Sequence, residues 1–279
     1  MPAGNVTRFV GRCALVTGAA RGQGRSHAVA LAREGADVAI CDICRDLSTI
    51  PYPLATSDEL AETAALIEGL GRRAVVGTVD VRAWKEVREF TDRAIAELGK
   101  LDVLVANAGV FGSAVALHQM TEEQFDEMVD TNLKGVWHAV KAVVPNMAQR
   151  GYGRIVVTGS TATFIGAPHF GHYVASKHAV DGLVKTLALE QGPNGITANL
   201  VCPTAVGTRM ILNDALYSLF APDNPTREQL AEILRTQHAA PEPWISPEDV
   251  TEAVLFLCSE GARAMTGGAV KVDLGWTAR

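Results

Sequence analysis

The stretch Arg12-Cys-Ala-Leu-Val-Thr17-Gly18-Ala-Ala-Arg21-Gly22-Gln-Gly24 sets the fold of this chain. Its first half is a short apolar run, which predicts a buried strand. Three glycines follow, and the Ala-rich amphipathic stretch after them predicts a helix that ends at Gly35. Asp37-Val-Ala-Ile-Cys-Asp42 predicts the next strand. A strand, a glycine turn, a helix and a strand within about thirty residues are typical of a dinucleotide-binding unit.

The glycine turn and Asp42 together indicate which dinucleotide binds. Glycines let the backbone approach a pyrophosphate and point helix N–H groups at it. Asp42 ends the second strand, where its carboxylate can accept hydrogen bonds from an adenosine ribose and would repel a 2′-phosphate. Arg21 and Arg45 act in the opposite direction, because either guanidinium could pair with that phosphate. We give Asp42 more weight because its position faces the ribose directly, and we predict NAD rather than NADP.

Strands and helices continue to alternate along the chain. Helices are predicted over Glu59–Leu70, Trp84–Leu98, Thr121–Arg150, 173–191 and Pro247–Ser259, and strands over Arg73–Val81, Leu101–Ala106, Arg154–Thr158, Ile196–Val201 and Ala269–Leu274. This alternation predicts a parallel sheet with helices on both faces. We therefore predict an α/β fold, with residues 1–279 as a single doubly wound Rossmann domain that contains seven strands.

Two segments depart from the alternation. Residues 45–58 include Ile50-Pro-Tyr-Pro-Leu54 and exceed the usual connection length, so they form either a surface loop or a flap over the cofactor. In residues 204–245 the pattern loosens. Apolar residues there predict one short helix with an apolar face: Met210, Ile211, Leu212, Leu216, Tyr217, Leu219 and Phe220. That face either packs on the core or, in a substrate lid, favours an apolar, ring-like alcohol or ketone.

Composition excludes several classes of protein. A formal net charge of -6 disfavours a nucleic-acid partner. We find no apolar run of membrane-spanning length and no signal peptide in Met1–Arg12. Five scattered cysteines suit reduced thiols in a cytoplasm, and Cys41-x-x-Cys44 straddles a strand end, where ordinary packing explains it. His169 and His172 have no accompanying ligand set, so no metal site is predicted.

Tyr173 and Lys177 are four residues apart, so a helix places both on one face. A neighbouring ammonium should lower the Tyr pKa and suit the phenol to acid–base work. Ser160 ends the fifth strand, and the helix can bring Tyr173 back beside it. Two hydroxyls could then hold one substrate oxygen during hydride transfer, with Ser160 orienting it and Tyr173 exchanging the proton. Lys177 can also bind the ribose hydroxyls.

Chemistry-bearing residues fall together at the carboxyl ends of the predicted strands, where α/β sheets bind ligands. These residues are Gly18, Asp42, Asp80, Asn107, Ser160 and Pro203. A nucleophilic serine hydrolase is disfavoured, since the sequence around Ser160 lacks the G-x-S-x-G elbow. An epimerase shares the Tyr/Lys pair but usually has a longer chain and different glycine spacing. A non-enzymatic NAD-binding regulator or scaffold would need the dinucleotide unit but not a tuned phenol.

Across essentially its whole length the chain resembles the short-chain dehydrogenase/reductase family. The resemblance implies the strand order 3-2-1-4-5-6-7 and a homotetramer. It implies that Asn132 belongs to a water-held proton relay behind Lys177, which gives the catalytic set Asn132, Ser160, Tyr173 and Lys177. Val81 and Asn107 are implied on the adenosine side and Thr208 at the nicotinamide carboxamide. The implied cofactor contacts are Gly18, Arg21, Gly22, Gln23, Gly24, Asp42, Ile43, Asp80, Val81, Asn107, Ala108, Gly109, Tyr173, Lys177, Pro203, Val206 and Thr208.

A narrower resemblance rests on three stretches. Gly22 to His27, Asp42-Ile43-Cys44 and Pro51 to Thr56 are similar to the carveol-dehydrogenase-type, mycofactocin-coupled branch. That resemblance implies an NAD so tightly held that it does not exchange, with an external redox carrier reoxidising NADH in place. Two departures from the broad family are the run from Cys202 to Gly207 and Ala106 in place of a second Asn. We therefore predict an NAD(H)-dependent oxidoreductase that interconverts a small apolar or cyclic secondary alcohol and its ketone.

Overall fold

A parallel sheet forms the centre of the structure, a computed structural model that describes residues 7–278. Its strands are β1 (Cys13–Thr17), β2 (Asp37–Asp42), β3 (Ala74–Thr78), β4 (Val103–Ala106), β5 (Gly153–Thr158), β6 (Ile196–Pro203) and β7 (Ala269–Val272). They lie in the order β3-β2-β1-β4-β5-β6-β7, and every neighbouring pair is parallel. The predicted sheet and its strand order are confirmed.

Helices cover both faces of the sheet. They are α1 (Gly22–Arg33), α2 (Ser57–Gly69), α3 (Trp84–Leu98), α4 (Glu122–Val129), α5 (Gly135–Arg150), α6 (Gly171–Gln191), α7 (Asp214–Phe220), α8 (Arg227–Gln237) and α9 (Pro247–Cys258). Successive residues of a strand point to opposite faces, so Leu15 packs under α3, α5 and α6 while Val16 packs under α1, α2 and α9. The predicted doubly wound architecture follows from these two separate cores.

The helix predicted from Thr121 to Arg150 is continuous but not uniform. Thr121 and Gln124 form a capping box at its start, where each side chain bonds the other residue's backbone N–H. A π-helical turn at Asp130–Lys134 then joins α4 to α5. Such wide turns are rare in helices and often occur at functional sites, and this one contains Asn132.

The prediction for residues 204–245 was incomplete. α7 begins at Asp214, so Met210, Ile211 and Leu212 precede the helix that we expected to include them. A second helix, α8, was not predicted at all. Thr226 caps it by accepting a hydrogen bond from Gln229 N at 3.2 Å, and Leu230 and Leu234 are buried on its inner face. The Thr226 cap and the four-residue spacing of the two leucines are local features that mark this helix.

Several predictions concern the termini and the cysteines. The expectation of no signal peptide rests partly on residues 1–6, which lie outside the described residues. Between residues 7 and 278, no helix is long and apolar enough to cross a membrane. The five cysteines are all free. Cys41 is buried in β2, and Cys44 follows the strand in the left-handed region at φ 51°, so packing accounts for this pair.

Candidate active site

A cavity of about 930 Å³ opens at the carboxyl ends of the strands. The predicted site residues that line it are Gly18, Arg21, Gly22, Gln23, Gly24, Asp42, Ile43, Asp80, Val81, Asn107, Ala108, Gly109, Ser160, Tyr173, Lys177, Pro203, Val206 and Thr208. Asn132 is the exception, because it is buried beside the cavity rather than on its wall. The sheet thus brings residues from distant stretches of sequence to one place, as expected at this edge of an α/β sheet.

Close packing explains the glycines of the first turn. A Cβ on Gly24 would lie 2.0 Å from the carbonyl oxygen of Gly18, a distance that no side chain tolerates. Gly18 has φ +65°, and a Cβ added to it would lie 2.7 Å from Ala108 Cα. The first turn of α1 carries no acidic residue and no side-chain cap. The N–H groups at the start of α1 therefore point into the cavity, where they would stabilise an anionic group.

Asn107 joins three strand ends beneath the cavity. Its Nδ2 donates to the carbonyl oxygens of Thr17 and Gly18, both at 3.1 Å, and its Oδ1 accepts from Thr158 Oγ1 at 3.2 Å. Thr17 Oγ1 in turn accepts from the backbone N–H groups of Asn107 and Ala108. The amide of Asn107 is therefore occupied by the protein, and it fixes the glycine turn against β4 and β5.

Asp42 lies at the end of β2 on the cavity wall. Its Oδ2 accepts a hydrogen bond from Ala20 N at 3.1 Å, and burial raises the pKa of its carboxyl group. The two arginines that could favour a 2′-phosphate are engaged elsewhere. Arg21 donates to the carbonyl oxygen of Pro53 at 2.5 Å, and Arg45 pairs with Asp80 at 2.7 Å. This arrangement places the Asp42 carboxylate on the cavity wall while both guanidinium groups are paired with other protein groups, which suits a ribose hydroxyl better than a phosphate.

Ser160, Tyr173 and Lys177 come together as predicted. Ser160 follows β5, and its hydroxyl makes a hydrogen bond with Tyr173. Lys177 lies one turn further along α6, with its Nζ 5.7 Å from the centre of the Tyr173 ring. The ammonium donates to the carbonyl oxygen of Thr158 at 2.7 Å. A substrate oxygen placed between the two hydroxyls would have an orienting group and a proton donor.

The pKa of Tyr173 departs from the sequence-based expectation. Burial raises it, and the hydrogen bond from Ser160 only partly opposes that rise. Burial also lowers the pKa of Lys177 to about 8. The prediction that Lys177 lowers the Tyr173 pKa was wrong for this state of the protein. Removal from water disfavours both charged forms, and the ammonium is directed at Thr158 rather than at the phenol.

Asn132 supports the site from behind. Its Oδ1 accepts from Val110 N at 2.8 Å and its Nδ2 donates to Val110 O at 2.9 Å, so the amide closes a ring with one residue of the β4 loop. A Cβ on Gly109 would lie 3.2 Å from the same Oδ1. Asn132 therefore fixes the loop that forms the cavity wall, and its place in a proton relay stays a prediction.

Residues 45–58, called the insertion from here on, form part of the cavity wall through Leu47, Tyr52, Leu54 and Ala55. The insertion is held by Glu127, whose Oε2 accepts from Thr49 N at 2.9 Å and from Thr49 Oγ1 at 2.5 Å. The flap interpretation gains support over a plain surface loop, and Tyr52 is a wall residue that sequence reasoning missed. An aromatic residue between two prolines in an apolar loop was the available signal.

Other wall residues lie in 204–245, called the lid from here on. Leu230, Leu234 and Gln237 of α8 line the cavity at positions i, i+4 and i+7, which form one helix face. Gln237 Oε1 is buried and has no hydrogen-bond partner among the described residues. A cap at Thr226 followed by leucines four residues apart could have identified this helix. Within residues 7–278 no three His, Cys, Asp or Glu side chains are grouped as metal ligands.

The comparisons with known proteins agree with this geometry. The model of the short chain dehydrogenase family matches residues 12–215. A (-)-trans-carveol dehydrogenase of Rhodococcus erythropolis is 46% identical over 276 residues, which cover 98% of this chain and 99% of that protein.

Solved structures extend the agreement to three dimensions. The carveol dehydrogenase of Mycobacterium avium, crystallised with NAD, is 44% identical and matches with a TM-score of 0.96 over 98% of this chain and 99% of that one. Levodione reductase matches at 28% identity with a TM-score of 0.86, over 97% of this chain and 99% of that one. The resemblance noted in the sequence is confirmed, and the chain belongs to the short-chain dehydrogenase family.

Proposed function

We propose that the protein is an NAD(H)-dependent oxidoreductase that interconverts a secondary alcohol and a ketone. The observation that carries the proposal is the hydrogen-bonded pair Ser160–Tyr173, with Lys177 behind it, in the same cavity as the glycine turn and Asp42. Bound NAD would supply the hydride acceptor. The N terminus of α1 would hold its pyrophosphate and Asp42 its adenosine ribose.

The protein's own groups then account for the proton. Ser160 would orient the alcohol oxygen, and Tyr173 would take its proton as the hydride leaves carbon. Lys177 would bind the ribose hydroxyls and stabilise the phenolate when its ammonium turns from Thr158. Asn132 would connect Lys177 to solvent through water. In the reducing direction Tyr173 donates the proton, since the same group must serve both directions.

The wall beside Tyr173 suits an apolar, cyclic substrate. Phe170 and Phe220 lie near Tyr173, Leu230 and Leu234 line the same cavity, and the lid supplies three of these four residues. Two relatives are carveol dehydrogenases by name, which supports a terpenoid-like alcohol. We propose that the lid sets substrate choice within the single domain.

Replacement of Tyr173 by Phe tests the proposed chemistry. The variant keeps the ring but lacks the proton-transferring group, so we expect a loss of about 10²-fold or more in hydride transfer. The measurement is a single-turnover rate of alcohol oxidation followed by NADH absorbance. Near-normal rates in Tyr173→Phe would refute the proposal.

A non-enzymatic NAD-binding regulator is the second candidate. The free N terminus of α1 and Asp42 would serve it equally well. Ser160, Tyr173 and Lys177 favour the enzyme, because a sensor has no need of them. A screen of cyclic alcohols and ketones with NAD(H) distinguishes the two, since binding without turnover of any compound supports the regulator.

We also propose that NAD is retained through turnover and reoxidised in place by an external redox carrier of the mycofactocin type. The support is the insertion, which is tied down by Thr49–Glu127 and Arg45–Asp80 and forms one wall of the cavity. Protein purified without added nucleotide should release about one NAD(H) per chain on denaturation. Release of none, together with ordinary turnover of free NAD, would contradict retention.

We propose a homotetramer as the assembly. Apolar side chains are exposed on α4 and α5 of the isolated chain, with Phe125 40% and Trp137 44% accessible. Burial of such groups against another copy would stabilise association. Light scattering coupled to size exclusion should give four times the chain mass of 29.6 kDa, whereas a monomer at micromolar concentration would contradict the proposal.

We propose that the protein is located in the cytoplasm. Five free cysteines, four of them buried, suit a reducing compartment. Cell fractionation should recover the protein with cytoplasmic markers, and recovery with an extracellular or membrane fraction would contradict this location.

A further inference from the structure

Tyr52 of the insertion connects the cavity wall to the loop that follows β4. Its side chain is only 4% exposed, and its hydroxyl oxygen accepts a hydrogen bond from Phe111 N at 2.9 Å. Among the described residues, this is the one hydrogen bond that the phenol makes. Phe111 lies in the loop after β4, and the hydroxyl of Tyr52 is the side-chain group that holds its backbone N–H. The insertion therefore sets the position of Phe111.

Phe111 in turn packs directly on Tyr173. The two rings meet edge to face with their centres 4.8 Å apart, at an angle of 85°. The other side of Phe111 stacks on Phe170 at 4.7 Å, and Phe170 stacks on Phe220 of the lid at 6.1 Å. Aromatic pairs of this kind restrict ring position as well as burying area. Contacts thus lead from the insertion through Phe111 to the phenol of Tyr173 and, by a second branch through Phe170, to the lid.

We propose that Tyr52 is a positioning residue for proton transfer, acting through Phe111 to hold the Tyr173 ring against Ser160. The inference rests on the proposed function, because it assigns a role in the reaction of Tyr173. It gives the insertion a second task, since the same segment that closes the cofactor wall also fixes the acid–base group. Residue 52 touches neither the hydride nor the transferred proton.

The expected pH effect follows from the groups around Tyr173. Those that bear on its charge are Lys177 on α6, Cys202 on β6, Tyr52 and the hydroxyl of Ser160. The Ser160 bond lowers the pKa of Tyr173. If the ring loses its fixed position, that bond weakens and the pKa rises. Alcohol oxidation needs the phenolate, so its increase with pH should shift to more alkaline pH.

Replacement of Tyr52 by Phe removes one oxygen and keeps the ring. In holoenzyme loaded with NAD, we expect single-turnover oxidation of a cyclic alcohol at pH 8 to slow by about tenfold. The midpoint of its pH profile should rise by about half a unit or more, while the KM for the alcohol changes little. Phe111→Leu should give the same two changes. Because both residues act in one series, the double variant should be little worse than either single one.

Tyr152→Phe is the matched control. Tyr152 immediately precedes β5, at the amino end of that strand and away from the cavity, and is hydrogen-bonded to Glu260, so its loss of a hydroxyl should leave rate and pH midpoint unchanged. An unshifted pH midpoint in Tyr52→Phe, or full additivity with Phe111→Leu, would overturn the proposal. If Tyr52→Phe fails to fold, the pH midpoint of Phe111→Leu decides in the same way. Normal turnover by Tyr173→Phe would instead refute the proposed function, which keeps the two failures distinct.

Discussion

The glycine turn and the lid border the same cavity, yet they are specified in different ways. At the turn, one added Cβ at Gly24 would collide with backbone at 2.0 Å, so the residue type is imposed by local geometry. In the lid, Leu216 of α7 is buried in a cluster with residues of other segments, and Leu230 and Leu234 of α8 are buried as well. A constraint that acts between neighbours in sequence is visible in the sequence, whereas one that acts through packing is not.

A third apolar cluster shows how the insertion and the lid meet. It is built from Leu47, Ile50, Tyr52, Val110, Met128 and Leu216. The first three belong to the insertion and the last to α7 of the lid. Segments that bind cofactor and substrate in the proposed function therefore share one buried cluster, and substitutions in either segment should affect both.

The largest effect is expected at the turn. Gly24→Ala should abolish nucleotide binding or yield insoluble protein, because the clash is with the Gly18 carbonyl and not with a movable side chain. Gly182→Ala is the control, since it is an exposed position of α6 with no atom within 4 Å of the new Cβ. It should stabilise the protein by about 0.5–1 kcal/mol. The NAD(H) released on denaturation and the thermal unfolding midpoint measure both, and about one NAD(H) per chain in Gly24→Ala would show that the turn can adapt.

The second-largest effect is expected for a substitution in the lid. Leu216 is fully buried in the third cluster, so Leu216→Ala should cost about 2–4 kcal/mol locally. We expect a higher KM for the alcohol and also faster loss of bound nucleotide, because the insertion contributes side chains to the same buried cluster. Leu66→Ala, at a residue 44% exposed on α2, should change stability by less than about 0.5 kcal/mol. Unchanged nucleotide retention in Leu216→Ala would show that lid and insertion act independently.

Acid should lower the free energy of unfolding through His27. This residue of α1 is fully buried, with Nδ1 2.7 Å from Thr251 Oγ1, and burial lowers its pKa from 6.5 to about 3. The folded protein holds His27 neutral, whereas the unfolded chain takes up a proton below about pH 6.5. The stabilisation is therefore complete above pH 6.5 and is lost as the pH falls toward 3. At pH 5 the loss is about 2 kcal/mol.

The readout for His27 is the slope of stability with pH. His27→Gln cannot titrate, so its free energy of unfolding should fall less between pH 7 and pH 5 than that of the wild type. Denaturant unfolding at several pH values measures this difference. Equal slopes would mean that other groups cause the acid sensitivity.

The smallest effect separates two helix caps. Thr226 caps α8 and Thr56 caps α2, each through its hydroxyl. Substitution of either by Ala should cost about 1 kcal/mol. Only Thr226→Ala should raise the KM for the alcohol, because α8 lines the cavity and belongs to the segment that meets the substrate in the proposed function. A similar rise in Thr56→Ala would argue that both helices affect the substrate equally.

Glycine geometry and strand ends are local properties, and they predicted the meeting of Gly18, Asp42, Ser160 and Tyr173, whereas the strand order was predicted from the family resemblance. The sequence analysis missed α8 although the Thr226 cap and the spacing of Leu230 and Leu234 are local signals, and it missed Tyr52 in the cavity wall because that position depends on which distant residues pack together. The direction of the Tyr173 pKa was also missed. Spacing reveals that Lys177 is near, but only the folded chain shows how much water both side chains have lost.

The buried cluster that joins the insertion to Leu216 of the lid matters for protein engineering. A common way to change substrate range is to graft the lid of a relative onto an existing scaffold. In this protein such a chimera would place foreign side chains against Leu47, Ile50 and Tyr52 of the insertion. A successful graft would have to exchange residues 45–58 and 204–245 as a pair, so the two segments form one unit of transplantation although about 150 residues separate them in sequence.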